Sequence, residues 1–185
     1  MDWEFDLLHW FQTLHGPLMD KIALGLTMFC EKGIGWIILI LLVFLFAKDK
    51  RIGLTGMGAF CFSYLLCNMI LKHMVARDRP CWIEPSVPLL VDIPDDFSFP
   101  SGHTSFSFAS ATAIFQYSRG WGMLAFLLAA LIGLSRLYLF VHFPTDVLVG
   151  AFTGIVSGLL AGLLVKDFYK KYPDFKIPVL QRRGD

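Results

Sequence analysis

Trp121–Val165 reads WGMLAFLLAALIGLSRLYLFVHFPTDVLVGAFTGIVSGLLAGLLV, and this stretch decides the fold. It contains two apolar runs, 121–141 and 145–165, each of the ~20 residues a helix needs to cross a hydrocarbon core of ~30 Å. Ser135, Arg136, His142 and Asp146 interrupt them. Polar side chains beside hydrocarbon are costly, so those kept there usually carry function. In the second run Gly150, Gly154, Gly158 and Gly162 recur every fourth residue. That spacing lays a glycine seam along one helix face and predicts close packing against another helix.

Further apolar runs lie upstream at about 17–31, 33–47, 52–71 and 102–118. The run at 52–71 is also long enough to span. Those at 17–31 and 33–47 are short and carry Asp20, Lys21 and Glu31 at their edges. They read as two tight spans or a re-entrant hairpin, and two spans is the preferred reading. Residues 2–15 form an amphipathic pattern, with Trp3, Leu7, Trp10, Phe11 and Leu14 on one face and Asp2, Asp6, His9 and Thr13 elsewhere. Two tryptophans beside acidic residues fit a helix lying in the membrane interface, although a short ordinary helix accommodates the same pattern. The expected fold class is therefore all-α: a polytopic membrane bundle of about six transmembrane helices behind an N-terminal interfacial helix (1–16). The whole chain, 1–185, reads as a single domain, with a polar loop over 72–101 and a tail over 166–185.

Composition agrees. Of 185 residues 56% are hydrophobic and only 17% charged, against about 25% charged in soluble domains. The net charge of +1 excludes little. No basic stripe interleaved with aromatics points to nucleic acid, and none is expected as a partner. Cys30, Cys61, Cys67 and Cys81 form no C-x-x-C pair; three lie in apolar runs as small core hydrophobes, and a disulfide framework is not expected. The N-terminus has no cationic start with a small-residue cleavage site, so no removable signal peptide is expected.

Basic residues set the orientation. Lys48, Lys50 and Arg51 precede the 52–71 run, Arg119 follows the fourth run, and Lys166, Lys170, Lys171, Lys176, Arg182 and Arg183 follow the sixth. With these on the cytoplasmic side, both termini are expected to be cytoplasmic. The 72–101 loop and residues 135–146 then meet at the external face of the plasma membrane.

Three polar islands converge there: Lys72…Arg79-Pro80, Pro100-Ser101-Gly102-His103 and Ser135-Arg136…His142…Asp146. An arginine fork and a lysine point charge suit phosphate oxygens. Ser101 is a natural N-cap at a helix start whose N–H groups bind anions, Gly102 admits a phosphate close to the backbone, and His103 stands in the first turn. If helical, His142 and Asp146 share a face, so the carboxylate orients one ring nitrogen and leaves the other free as a nucleophile. Pro144 starts the last helix between them. Arg77 reads as a boundary cation that snorkels to the headgroups, and Glu84, Asp92, Asp95 and Asp96 read as residues that solvate the loop. The apolar residues between them, Val87 to Ile93, are suited to admitting a lipid tail. No carboxylate or histidine cluster has metal-ligand spacing, so neither a metal nor another cofactor is assigned.

The ordered set Lys72-x6-Arg79-Pro80, Pro100-Ser101-Gly102-His103, Ser135-Arg136-x5-His142-x3-Asp146 resembles the three-part signature of the type-2 phosphatidic acid phosphatase family, and every signature position matches. The resemblance implies a metal-independent lipid phosphatase. His142 would be the nucleophile that forms a phosphohistidine, steadied by Asp146, and His103 the acid and then the base. Lys72, Arg79, Ser101, Gly102 and Arg136 would hold the phosphate oxygens. Undecaprenyl pyrophosphate is the first expected substrate; phosphatidylglycerophosphate or phosphatidic acid is the alternative. A non-hydrolytic anion transporter is the rival of another class, but anion binding alone has no need of the His142, Asp146 and His103 set. A silent scaffold is disfavoured by the intact signature, and a haloperoxidase by the spans.

Overall fold

The structure, a computed structural model, describes residues 2–173 and 175, and every regular element among them is helical. The elements are α1 (Asp2–Gln12), α2 (Pro17–Phe29), α3 (Ile34–Phe46), α4 (Arg51–Ser63), α5 (Lys72–Val75), α6 (Pro80–Ile83), α7 (Gly102–Phe115), α8 (Arg119–Tyr138) and α9 (Pro144–Lys171). A π-helical stretch, Tyr64–Leu71, joins α4 to α5. Such wide turns shift the register of the side chains beyond them and favour functional sites; this one ends directly at Lys72. Ala76, at φ +47°, stops the helix in the left-handed region and sends the chain into the loop.

Among the described residues three helices are long and apolar enough to cross a membrane: Arg51–Ile83, Arg119–Tyr138 and Pro144–Lys171. The segments Pro17–Phe29 and Glu31–Phe46 pass only as a pair, bent by 41°. Neither half of 17–47 is long enough by itself to count as a full span, and the pair is a broken span or a re-entrant loop. At 13 residues each, α2 and α3 are about 20 Å long, short of a ~30 Å core. The break itself is made by Lys32 and Gly33, at φ +49° and +76°, which end one helix and start the next within a single turn. The expected six spans reduce to three helices and one bent pair that qualify, with the 14-residue α7 enclosed among them.

Helix α7 is the centre of the bundle. Its Ser, Thr and Ala positions are almost all buried, and it packs on α4, α8 and α9. The glycine seam of α9 makes this contact, as its spacing predicts. A Cβ on Gly150 would stand 2.7 Å from the Ser101 carbonyl oxygen, and one on Gly154 would stand 2.4 Å from that of Ser105. The outward faces of α8 and α9 are apolar: Leu124, Leu127, Leu148, Phe152 and Leu163 are all exposed. So much contiguous exposed apolar surface suits lipid rather than water, and the chain is a multi-pass membrane protein.

The two ends of the bundle differ. At one, the Arg51 guanidinium lies 5.9 Å and 6.0 Å from the rings of Tyr117 and Tyr169, so the start of α4 meets the ends of α7 and α9. The other end gathers the polar islands, and α1 packs across it through Leu8, Phe5 and Phe11 on Phe140 and Phe143. Trp3 and Trp10 of α1 remain exposed. Residues 2–12 thus lie at the island end and Lys171 at the far end, which departs from the expectation of both termini on one side. The bent α2–α3 pair lies between α1 and α4. Lys176, Arg182 and Arg183 lie outside the described residues.

The seam gives a graded prediction. At Gly154 the added Cβ meets α7 backbone, whereas at Gly162 it meets only the end of the Gln116 side chain. Gly154→Ala is expected to destabilise the protein by about 1–3 kcal/mol, and Gly162→Ala to be far milder, read as melting temperatures in detergent.

Candidate active site

The islands surround a cavity of about 700 Å³ at the α1 end, with Lys72, Arg79, Gly102, His103, Arg136 and His142 in its wall. The π-helical stretch and α5 deliver Lys72, the α5–α6 link delivers Arg79, the first turn of α7 delivers Gly102 and His103, and the last turn of α8 delivers Arg136. His142 stands on the short α8–α9 link, between Phe140, at φ +59°, and Pro144 at the start of α9.

The charge balance is lopsided. Lys72, Arg79 and Arg136 are all buried. One carboxylate, Asp96, bridges Lys72 and Arg79. The Arg79 Nε also donates to the Asp96 carbonyl oxygen at 2.6 Å and its Nη1 to that of Val141 at 2.7 Å. Among the described residues Arg136 donates only to the Thr27 hydroxyl, and its Nε has no partner. Asn68 Oδ1 and His103 Nε2, which belong to the same wall, are likewise buried without hydrogen bonds. Buried polar atoms are ordinarily paired. The wall's carboxylates, Glu31, Asp92, Asp95 and Asp96, are exposed, so its buried charge is all positive, and buried cations with an unpaired Arg136 donor describe a receptor for an anion.

Asp96 is not the loop-solvating residue expected of it. Burial alone would raise its pKa, but hydrogen bonds and charge from Lys72 and Arg79 overcome this and lower it to about 2. It is a carboxylate throughout the working range and occupies the side of Lys72 and Arg79 that an anion would take.

His142 has one nitrogen for each neighbourhood. Arg79 Nη1 donates to its Nε2 at 3.2 Å, on the cavity side, which assigns the lone pair to that nitrogen. Its Nδ1 faces inward, 3.4 Å from the Ser98 hydroxyl and 3.7 Å from Asp146 Oδ2. Burial first, then the charges of Arg79, Arg136 and Lys72, hold the imidazole well below its ordinary pKa. Asp146 stands behind His142 as the spacing predicts, but the link runs largely through Ser98, whose hydroxyl donates to Asp146 Oδ2. The Phe143 N–H donates to the same oxygen at 2.8 Å, the N-terminal half of a capping box.

Ser101 is the N-cap that the sequence predicts. Its hydroxyl accepts from Thr104 N–H at 3.4 Å and Thr104 Oγ1 at 2.9 Å, capping α7, and it is absent from the cavity wall. Gly102 and His103 do reach the wall. Glu31, at the α2–α3 break, lies 3.7 Å from His103 Nε2.

Sequence reasoning missed Ser98, Asp96, Glu4 and Arg77. Arg77, read as a snorkelling cation, donates to Asp146 Oδ1 at 2.8 Å and to Glu4 Oε2 at 2.6 Å. Nothing in the local pattern distinguishes it from a boundary residue.

A family model, the PAP2 superfamily, matches residues 54–170. The chain belongs to the PAP2 superfamily. It is similar to the decaprenylphosphoryl-5-phosphoribose phosphatase of Mycobacterium tuberculosis, 35% identical over 145 residues covering 78% of this chain and 79% of that one. It is also similar to the undecaprenyl-diphosphatase of Sulfolobus acidocaldarius, 32% identical over 64% of this chain and 58% of that protein. Among solved structures, Aquifex aeolicus LpxE superposes with a TM-score of 0.74 at 31% identity, covering 86% of this chain and 94% of that one. The chain is a PAP2 family lipid phosphatase, and the islands are where its signature residues meet.

Exchange at the cradle can be measured directly. Asp96→Asn removes the resident carboxylate, so inorganic phosphate is expected to bind on the order of tenfold tighter, the equivalent of about 1.4 kcal/mol, by calorimetric titration of the purified protein.

Proposed function

We propose that this PAP2 protein removes a terminal phosphate from a polyprenyl-linked phosphate or pyrophosphate through a phosphohistidine on His142, with undecaprenyl pyrophosphate as the first candidate substrate. The observation that carries the reading is the pairing of a neutral, unprotonated His142 Nε2 with three buried cations on the wall of one cavity. An anion receptor alone has no use for a nucleophile aimed into it.

Lys72, Arg79, Arg136 and the α7 N-terminus at Gly102 hold the non-bridging oxygens, whose charge the transition state spreads. Ser101 serves by capping that helix. His142 Nε2 attacks phosphorus, the bond from phosphorus to the leaving oxygen breaks, and His103, which takes up a proton from solvent as the substrate's negative charge arrives beside it, gives that proton to the leaving oxygen. His103 then takes a proton from water, whose oxygen displaces His142 and releases phosphate. Asp146, with Ser98 between, holds the Nδ1 proton and balances the imidazolium charge. No step calls for a metal ion.

The lipid assignment rests on the wall. Leu24 and Met28 of α2 and Leu89 to Ile93 of the loop line the same cavity as the cations, so an apolar chain and its phosphate fit side by side. The relatives named for decaprenyl and undecaprenyl substrates support a polyprenyl chain.

Orientation follows from the two ends of the bundle. Lys48, Lys50, Arg51, Arg119, Lys166, Lys170 and Lys171 gather at the end away from the site. The positive-inside rule makes that end cytoplasmic and the site external, with α1 in the external interface.

Purified protein in detergent is expected to release phosphate from undecaprenyl pyrophosphate in the presence of EDTA, and His142→Ala to abolish release; activity retained in that variant would remove the nucleophile. Because the His142 pKa is depressed, the neutral form persists as pH falls through the ordinary imidazole value of about 6.5. The acid limb of kcat/KM assigned to this group is therefore expected well below that pH. A cysteine replacing Ser86 is expected to react with an impermeant maleimide added outside intact cells; labelling only after the membrane is opened would invert the orientation.

A further inference from the structure

The signature accounts for the cavity wall and for Asp146 but leaves a second charged cluster unexplained directly behind it. Arg77 lies outside the cavity wall. Its Nη1 donates to Asp146 Oδ1 at 2.8 Å and to Thr145 Oγ1 at 2.7 Å, and its Nη2 donates to Glu4 Oε2 at 2.6 Å. The guanidinium lies 3.9 Å from the centre of the Phe143 ring. Glu4 closes the circuit by accepting from Thr145 Oγ1 at 2.7 Å and from the Thr145 N–H at 3.4 Å. Glu4 is 4% exposed and Asp146 0%. One arginine thus bridges two buried carboxylates that lie more than 140 residues apart in sequence.

The geometry points to Arg77, braced by Glu4 of α1, as a positioning residue for the nucleophile. Asp146 Oδ2 is taken up by Ser98 and the Phe143 N–H. Oδ1 has Arg77 as its one hydrogen-bond donor among the described residues. Removing one partner of a buried ion pair leaves an uncompensated charge, which the structure relieves by moving the other. Asp146 would then release Ser98 and the Nδ1 edge of His142, and Nε2 would lose its line of attack. Arg77 itself never meets the phosphate. A lysine has one point of charge and no planar fork, so it reaches one carboxylate and leaves the second. Glu4 makes α1 part of the catalytic unit: the helix packs against the segment that carries His142 and supplies the counter-charge that fixes the arginine.

This role presupposes the phosphohistidine reaction proposed above, and it makes a separable prediction about where the rate is lost. Arg77→Gln, Arg77→Ala and Glu4→Gln are purified in detergent beside the wild type. Each is measured for kcat and KM on undecaprenyl pyrophosphate and for binding of inorganic phosphate by titration. Loss of an outer positioning partner ordinarily costs about 10–100-fold, so Arg77→Gln is expected to lower kcat by that range with KM and phosphate affinity unchanged. Glu4→Gln is expected to fall in the same direction by less. Added guanidinium ion is expected to restore part of the kcat of Arg77→Ala, which a general loss of folding would not allow. Wild-type kcat in both Arg77 variants overturns the inference. So does a loss of phosphate affinity matching the loss of rate, which would make Arg77 a cradle residue. Should the Arg77 variants fail to fold, Glu4→Gln decides: a lowered kcat at wild-type phosphate affinity supports the role, and an unchanged kcat overturns it. A wild-type protein that releases no phosphate from any lipid phosphate instead defeats the phosphatase reading itself.

Discussion

Three cations buried around one cavity, with a single bridging carboxylate between two of them, set the terms for everything else in this protein. Lys72, Arg79 and Arg136 repel one another in a medium that screens charge poorly. Their burial is tolerable because Asp96 spans Lys72 and Arg79 and because backbone carbonyls absorb the remaining donors of Arg79. The same field keeps the proton off His142 and keeps Asp96 ionised. A neutral His142, a carboxylate in the place of an anion, and an unsatisfied arginine are consequences of one electrostatic constraint.

That constraint needs a scaffold that brings distant segments within a few ångströms, and the glycine seam of α9 provides it. With no side chain between them, α7 and α9 approach at backbone distance, and Ser101 N–H donates to the Asp146 carbonyl oxygen at 3.0 Å. The second and third islands are thereby fixed to each other before any side chain of the site is considered. The first island is held less directly, through the π-helical stretch that aims Lys72 and through Arg79 and Asp96. Lys72 and Arg79 depend on the polar loop through Asp96, and the His142–Asp146 pair depends both on the start of α9 and on Ser98 and Arg77 of that loop.

What was legible in the sequence follows this division. The long apolar runs, the seam and the ordered islands are local or periodic signals, and the structure places five of the six expected cavity groups, Lys72, Arg79, Gly102, His103 and Arg136, around His142. The errors arose where a decision depended on non-local partners. Residues 17–47 carry enough apolar residues for two spans, but a two-residue left-handed break divides them into halves too short to cross separately. Ser101 looked like a phosphate ligand because a capping serine and a binding serine share one sequence context. Arg77 looked like a boundary cation because its partners, Glu4 and Asp146, lie 73 and 69 residues away.

The span count also changes the meaning of α1. With two passes over 17–47, the N-terminal helix would lie at the membrane face opposite the site and have no part in its chemistry. In the structure it packs instead against the segment that carries His142: Leu8 is enclosed by the Leu137–Phe143 segment and Gln12 donates to the Tyr138 carbonyl oxygen at 3.0 Å. Tyr138 in turn bonds Asp20 at the start of α2. The chain entering the membrane is therefore fastened to the chain leaving α8, on the same face where Arg77 meets Asp146. A helix that the composition describes only as amphipathic acquires an inward face of Glu4 and Leu8 and an outward face of Trp3 and Trp10. The inward face answers to the site and the outward face to the surroundings, so one short segment couples the position of Asp146 and His142 to the exposed surface of the bundle.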